Sequence, residues 1–521
     1  MGIYKISGVY TKEKNEFPNS VVEAPTAIPA FIGITEKASD GNNNLYGKPL
    51  KISSMTEYVD YFGGPPVPKF MLSVITKTQD HNKLCIYDET KKIGLEAIPV
   101  SKLHTLYYHM VMFFANGGGT CYVISMGNYE NTLAEVYAEH KEAVFANLVK
   151  EQDITMLVVP EAVNADNCMD IYKDLLGMCD DKKYFVILDI PLKKAGEDID
   201  KPIDAFRDAI GNRNLSFAAA YYPWLETSVL SDKDITGEIF TWDYDPVKLD
   251  LKPFFDGNSA VLDFVKEIFG KIKKGTKEIE PESSVNPEKK KEIPFTKDEL
   301  FQMKNDLHNA LLQNWPEYRL LVKKVKDYLS LLPPSATMAG IYNMVDNTRG
   351  VWKTPANVSV NYVNKPSILI DNEVQEELNM PMNGKSINAI RSFTGEGIKV
   401  WGARTLDGNS LDWRYINVRR TVNFIETSVK NAARAYVFEP NDAGTWINMR
   451  CMMENFLCGI WKRGALAGAT PEDAYSVHVG LGDTMTADDI LDGILRITLL
   501  VALSHPAEFI EITFQQQMQK S

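Results

Sequence analysis

From residue 27 onward, short apolar runs alternate with longer segments of helical period. The runs are AIPAFIGI (27–34), TCYVISM (120–126), ITMLVVPE (154–161), YFVILDI (184–190) and SFAAAYYPWL (216–225). Between the later ones lie TLAEVYAEHKEAVFANLVK and CMDIYKDLLGMC, which read as helices. Strands alternating with helices predict a central α/β domain with a mixed sheet and helices on both faces, because near-continuous apolar strands need cover on each side. Residues 40–100, with GNNN and GGPPVP, break this rhythm and predict an inserted subdomain or long outward loops.

The stretch KGTKEIEPESSVNPEKKKEIP (274–294) mixes Lys, Glu and Pro with few bulky apolar residues, so it predicts a charged flexible linker. Amphipathic helices are expected over 296–331, stopped by Pro333 and Pro334. Ser335 is then placed to cap a new helix, whose Met338, Ile341, Tyr342 and Val345 fall at i, i+3, i+4 and i+7. Gly350 is placed to close it, and Asp346 and Arg349 at i, i+3 are expected to pair at its end. Trp352 and Pro355 should then lead the chain into a smaller α+β carboxy-terminal domain. That domain predicts helices through RRTVNFIETSVKNAARAYVF and DAGTWINMRCMMENFLCGIWKRGAL, then strands in AYSVHVG and GILRITLLVAL. The expected division is 1–26 as an extended amino-terminal segment, 27–355 as the α/β domain, 356–505 as the carboxy-terminal domain and 506–521 as a tail.

The bulk numbers narrow the function classes. A chain of 521 residues with 45% hydrophobic and 24% charged residues has the composition of a folded, multidomain protein. A net charge of -13 argues against a nucleic-acid partner, since such binding rests on Lys and Arg displacing counterions. The six cysteines contain no CxxC and suggest neither a disulfide scaffold nor a zinc ribbon. The amino terminus has no apolar secretion run, and no stretch approaches the 18 or so apolar residues of a membrane span. The expectation is a protein without membrane insertion, made in a reducing cytoplasm and released by lysis or a dedicated machine.

Four places resemble chemistry. SATMA (335–339) resembles the nucleophile segment of subtilisin-like proteases, with Thr337 at the serine position, but no upstream segment supplies a base and its carboxylate. NMPMNGKS (379–386) resembles a phosphate loop, yet Asn379 replaces its first glycine and no strand leads into it. FTGEGIKVWGARTL (393–406) lacks the GxGxxG spacing, and ANGGGTCYVI precedes a strand instead of following one, so turns are expected at both. The seven histidines show no HExxH, and His104 and His109, at i, i+5, do not share a helical face for a metal. No catalytic residue, cofactor or metal site is therefore expected. An α/β hydrolase with a cryptic site near Ser335 and Thr337 stands as the alternative of another class.

The termini carry a different signal. Pro18, Pro25 and Pro29 keep the first 34 residues from forming helix, and EFIEITFQQQM near the end alternates Phe509 and Glu511 with Ile510, Ile512 and Phe514. Such segments offer unpaired backbone edges that complete the chain's own sheet or augment a neighbour's. At roughly 0.5–1.5 kcal/mol net per hydrogen bond, one added strand is worth several kcal/mol.

On these stretches the sequence resembles the contractile tail sheath family of contractile phage tails, tailocins and phage-tail-like extracellular injection systems. GVYTKE with VVEAPTAIPAFIGIT is similar to that family's amino-terminal arm and first core strand. YFVILDIP, AAAYYPWL and PPSATMAGIYNMVDNTRGVWKTPAN are similar to its central domain. LNMPMNGKSINAIRSFTGEGIKVWGARTL, WRYINVRRTVNFIE, VFEPND and HPAEFIEITFQQQ are similar to its carboxy-terminal domain. The resemblance implies a structural, non-enzymatic subunit: a homo-oligomer of six-subunit rings stacked as a helical sheath around an inner tube protein, with baseplate and terminal cap proteins. Paralogous sheath subunits stay open, as does a non-contractile subunit of a similar particle. It implies intersubunit arms marked by Gly8, Val9 and Tyr10 at one end and by Pro506, Glu508, Phe509, Ile510, Ile512 and Phe514 at the other. It also makes Asp346, Arg349, Trp352 and Pro355 an interdomain joint. By the same resemblance the carboxy-terminal domain faces the tube, with TADDILDG (486–493) and WINMRCMMENFLCGIWKR (446–463) as candidate contact helices, and residues 40–100 and 274–294 project outward.

Overall fold

The computed structural model describes residues 21–75, 84–89, 93–192, 198, 200–242, 259–279 and 291–511. They divide into two compact units. One, the α/β unit, holds 27–344 and 355–414; the other holds the segment ending at Thr26, Val345–Thr354 and the chain from Tyr415.

The α/β unit is a mixed α/β fold around one large mixed sheet. Its strands are β1 (Pro29–Ile34), β2 (Leu50–Ile52), β3 (Cys121–Gly127), β4 (Met156–Val158), β5 (Phe185–Asp189), β6 (Ala218–Tyr222), β7 (Ile387–Phe393) and β8 (Gly397–Trp401). Their order is β8-β7-β6-β5-β4-β1-β3-β2. Pairing is parallel from β3 through to β7 and antiparallel at the two edges. Every residue of β1, β3, β4, β5 and β6 is buried, which is why these strands read as unbroken apolar runs and not as alternating ones. The crossovers carry α1 (Leu106–Ala115), α2 (Leu133–Leu148), α3 (Cys168–Gly177) and α4 (Asp200–Ala209). A capping box between Thr132 and Glu135 opens α2 and satisfies two of its free donors. Ile32, Ile124, Leu157, Leu175 and Val186 meet in a core that excludes water.

The longer described strands of residues 40–100, expected as an inserted subdomain or outward loops, divide between two larger sheets. Leu50–Ile52 is an edge strand of the large sheet, while Phe70–Ile75, Cys85–Asp88 and Ile93–Pro99 join Phe240–Trp242 in a second, four-stranded sheet. Helices Ser259–Lys274, Lys297–Asn314 and Pro316–Leu329 share a core with it through Leu95, Val265, Leu311, Trp315 and Val325. The apolar faces of segments far apart in sequence complete one another, which a linear reading of either segment does not reveal. Within 274–294, Thr276–Ile279 and Lys291–Pro294 pair as an antiparallel ribbon; residues 280–290 lie outside the described residues.

Two further helices are α5 (Ser335–Arg349) and α6 (Asn372–Asn379). The boundary between the units falls inside α5, between Met344 and Val345, and not after Pro355. Residues 356–414, expected in the carboxy-terminal domain, instead supply β7 and β8, because Ala220–Tyr222 of β6 offers an open parallel edge to Ile387–Ala389. The second unit contains α7 (Ile416–Ala433), α8 (Ala443–Lys462) and α9 (Ala487–Leu491). It also holds an antiparallel hairpin of β9 (Tyr475–His478) with β10 (Thr498–Val501). Its core gathers Trp352, Phe424, Met453, Leu457 and Ile460.

Candidate assembly site at the arm roots

The second unit brings three chain segments onto one helix. Along α7, Asn417, Arg420, Thr421 and Ser428 lie at i, i+3, i+4 and i+11, a polar stripe on a helix whose Val418, Phe424 and Ile425 are apolar. All four polar residues are buried. Buried polar groups usually find partners, and here three of the four reach other segments of the chain, Arg420 and Asn417 two segments each and Ser428 one.

Arg420 clamps Asp346 with two parallel bonds, Nη1 to Oδ1 at 2.9 Å and Nη2 to Oδ2 at 2.6 Å, and Nη2 also donates to the Thr26 carbonyl at 2.9 Å. Both side chains are almost sealed, at 3% and 2% exposure. The planar guanidinium suits such a fork, which a lysine does not reproduce. Asn417 Nδ2 donates to the Trp352 carbonyl at 3.1 Å and to the Ser504 carbonyl at 2.9 Å. Ser428 Oγ accepts the Ala24 backbone N–H at 2.9 Å. The roots of both terminal segments and the end of α5 are thus fixed to α7.

Flanking contacts extend the anchor. Glu23 pairs with Arg463, whose guanidinium lies 5.1 Å from the centre of the Trp352 ring. The Tyr415 hydroxyl donates to Glu508 at 3.0 Å, and the Tyr415 ring meets His505 edge-on. Pro506 and Glu508 are half-buried, whereas Phe509 and Ile510 are 74% and 78% exposed. Residues 504–511 pair with no strand of this chain among the described residues. Gly8, Val9, Tyr10, Ile512 and Phe514 lie outside the described residues.

Of the four expected joint residues, Asp346 and Trp352 meet at α7 in this way. Arg349 is exposed, so the Asp346 carboxylate goes to Arg420 instead of to the neighbour expected for it. The buried site favours the better-shielded cation, which the spacing within α5 does not disclose. Pro355 is buried in the α/β unit, where the chain returns after its ten-residue visit to the other one. Gly350 closes α5 as expected, with φ +92° and its N–H bonded to Asp346 O. The start differs: Ser335 is the first helical residue, and its backbone N–H donates at 2.8 Å to Asp189 at the end of β5. Burial pushes the Asp189 carboxyl up to about 7.

The chemical look-alikes resolve into structure. Ser335 and Thr337 are each 1% exposed, packed inside the fold. Lys385 in the loop-like NGKS donates to the Arg207 carbonyl and Ser386 to the Asn379 carbonyl, which fixes a turn. His109 is fully buried, and burial drives its pKa down to about 3. Among the described residues no cluster of His, Cys, Asp and Glu could hold a metal ion, and no helix is long and apolar enough to cross a membrane. Of the two candidate contact helices, α8 buries Met449, Met452, Met453, Phe456, Leu457 and Ile460 in its own unit. By contrast α9 buries none of its residues and leaves Leu491 84% exposed. Arg496 and the Thr486 cap hold the Asp489 carboxyl on α9 down at about 2.

Comparison with known proteins gives consistent matches. Residues 409–517 match the family model of the phage tail sheath C-terminal domain. A tail sheath protein of Burkholderia phage BcepMu is 31% identical over 143 residues, 26% of this chain and 30% of the relative's length. The match therefore spans under a third of that relative. Among solved structures, the chain is similar to the sheath of the extracellular contractile injection system PVC in its contracted state, with 26% identity, 99% of both chains covered and a TM-score of 0.57. It is equally similar to the contracted helical sheath of the anti-feeding prophage AFP, with 26% identity, 99% and 100% coverage and a TM-score of 0.57.

Proposed function

The chain belongs to the contractile tail sheath family, and from that premise we propose that it polymerises around an inner tube and shortens to drive that tube through a target envelope. It is a structural, non-enzymatic subunit of a phage tail or of an extracellular contractile injection particle. Whole-length likeness to contracted sheaths carries the reading. In the proposed assembly six subunits form each ring, rings stack between a baseplate and a terminal cap, and the particle is built in the bacterial cytoplasm before release.

Contraction needs two lattice packings of different free energy with a barrier between them, multiplied over many subunits. It also needs neighbours that stay joined while they repack. Terminal strands that add to neighbouring sheets meet this need, since a tethered partner remains at high effective concentration throughout. The arrangement at α7 supports this role for the arms. Arg420 and Ser428 fix the chain at Thr26 and Ala24, and Asn417 and Tyr415 fix it at Ser504 and Glu508. Tension entering through either arm therefore reaches one helix and not a loose loop. The bare side chains of Phe509 and Ile510 fit a segment completed by another subunit. In the same reading Asp346 and Trp352 are the joint residues that matter, and α9 is the better candidate for tube contact.

Co-expression with the cognate tube protein, followed by negative-stain microscopy, tests the proposal. Long striated tubes that shorten and widen are expected. Discrete closed rings, or tubes of fixed length, would leave a non-contractile subunit as the correct reading.

A further inference from the structure

Within the α/β unit, β1 lies between strands reached in opposite directions. The chain passes from β1 through α1 to β3 on one side, then through α2 to β4 on the other. Open α/β sheets with this order leave a crevice at the carboxyl ends of the two strands where the direction reverses, and ligands seat there with an anion against backbone N–H groups. The crevice is present in this chain as a cavity of about 370 Å³ bordered by His104, Thr132, Glu161, Asp166 and Tyr328.

Its anion position is filled from within. Glu161, three residues beyond β4, is 3% exposed. Its Oε1 accepts the N–H of Thr105 at 2.6 Å and of Leu106 at 3.2 Å, at the start of α1, and its Oε2 accepts the N–H of Ile34 at 2.9 Å, at the end of β1. Burial raises the carboxyl's pKa, and the three N–H donors oppose that by favouring the charged form. The surroundings are shaped to the group. A Cβ on Gly33 would come within 2.7 Å of Oε2, so glycine is what lets the carboxylate approach the strand. Thr105 precedes α1 yet makes no side-chain cap, and its buried hydroxyl has no partner among the described residues. The helix start thus relies on the carboxylate, with a hydroxyl to spare beside it.

We propose that this crevice is an oxyanion seat that the chain fills with its own Glu161, and that the seat takes a small carboxylate or phosphate once that side chain is shortened. The wild-type domain keeps the ligand geometry of a doubly wound sheet but closes it to free ligands. The proposal goes beyond the mechanical reading and does not depend on it.

The full-length Glu161→Ala variant tests it, because the atoms removed have the shape of acetate. Thermal denaturation is followed in rising acetate or inorganic phosphate, with ionic strength held constant by chloride. The variant's Tm should climb by several degrees and saturate, as ligand binding to the native state requires. Wild type, and a Leu175→Ala variant destabilised in the same core, should show no such climb. Should Glu161→Ala fail to fold in chloride, recovery of folded chain on refolding in acetate becomes the readout. Saturable rescue by either anion supports the seat, and acetate alone would mark it as a carboxylate site. A response equal to that of wild type, or no response, overturns it.

Discussion

Arg420 shows how one side chain can matter more than its sequence context suggests. It sits within α7 beside Arg419, and nothing local separates a solvated arginine from one that holds Asp346 and the Thr26 carbonyl at once. Removing one partner of a buried pair leaves an uncompensated charge, which typically costs about 3–5 kcal/mol. Arg420→Ala should therefore lower the urea midpoint of the full-length protein strongly, whereas Arg349→Ala at the exposed position should fall within about 0.5 kcal/mol of wild type. A double-mutant cycle of Arg420→Ala with Asp346→Ala should recover much of the loss, because both charges are then gone. Equal effects at 420 and 349 would return Asp346 to the neighbour its spacing suggested. The polar stripe of Asn417, Arg420, Thr421 and Ser428 was the available signal; its period is visible in the sequence, but only burial tells a polar anchor from a wet face.

At the scale of elements, helices here are held by carboxylates that arrive from strand ends. Glu161 secures the start of α1 and Asp189 the start of α5, each sitting just beyond or at the end of a parallel strand. The negative group favours the positive end of the helix, while burial works against its charge. For Asp189 burial wins, and its folded-state pKa of about 7 stands above the ordinary 3.8. A carboxyl that binds its proton more tightly when folded stabilises the protein below its unfolded pKa and loses that contribution as pH rises towards 7. Asp189→Asn keeps an acceptor for Ser335 but removes the titration. The difference in Tm between pH 5 and pH 8 should then be smaller in Asp189→Asn than in wild type; an unchanged difference would assign the pH dependence to other groups. These elements were legible as elements, since β1, β4, β5 and β6 fall inside the apolar runs, β3 overruns its own only by Gly127, and α2 and α3 fall inside the helical ones. Their caps were not. Ser335 looks like a cap because serine often is one, yet the acceptor comes from Asp189, 146 residues away.

At the scale of the whole molecule, the resemblance in the sequence and the whole-length structural likeness agree on a tail sheath protein. The proposed assembly makes the terminal arms expendable for folding and essential for polymerisation. Deleting residues 1–20, or 507–521, should leave a soluble protein with a cooperative thermal transition that sediments as a monomer and forms no tubes with the tube protein. Tubes of wild-type length from either truncation would remove the arms from the mechanism. The anchors at Ala24, Thr26 and Ser504 are retained in both deletions. The 507–521 deletion also removes the Glu508 contact to Tyr415, so the 1–20 deletion is the one whose loss of assembly reports on an arm and not on its root.

The sequence by itself determined which segments form buried parallel strands and which form helices, because one-dimensional periodicity records how many faces each element must hide. Its motifs also carried the resemblance to contractile tail sheath proteins. Tertiary structure alone decided who pairs with whom. It assigned Ile387–Phe393 and Gly397–Trp401 to the large sheet, joined Phe70–Ile75, Cys85–Asp88 and Ile93–Pro99 to Phe240–Trp242, gave Asp346 to Arg420, and put Glu161 where a ligand's anion would sit. The physical reason is common to all four. Pattern fixes how much surface an element must bury or how many bonds it must make, but the partner is whichever group the closed chain carries to that place, often more than a hundred residues distant.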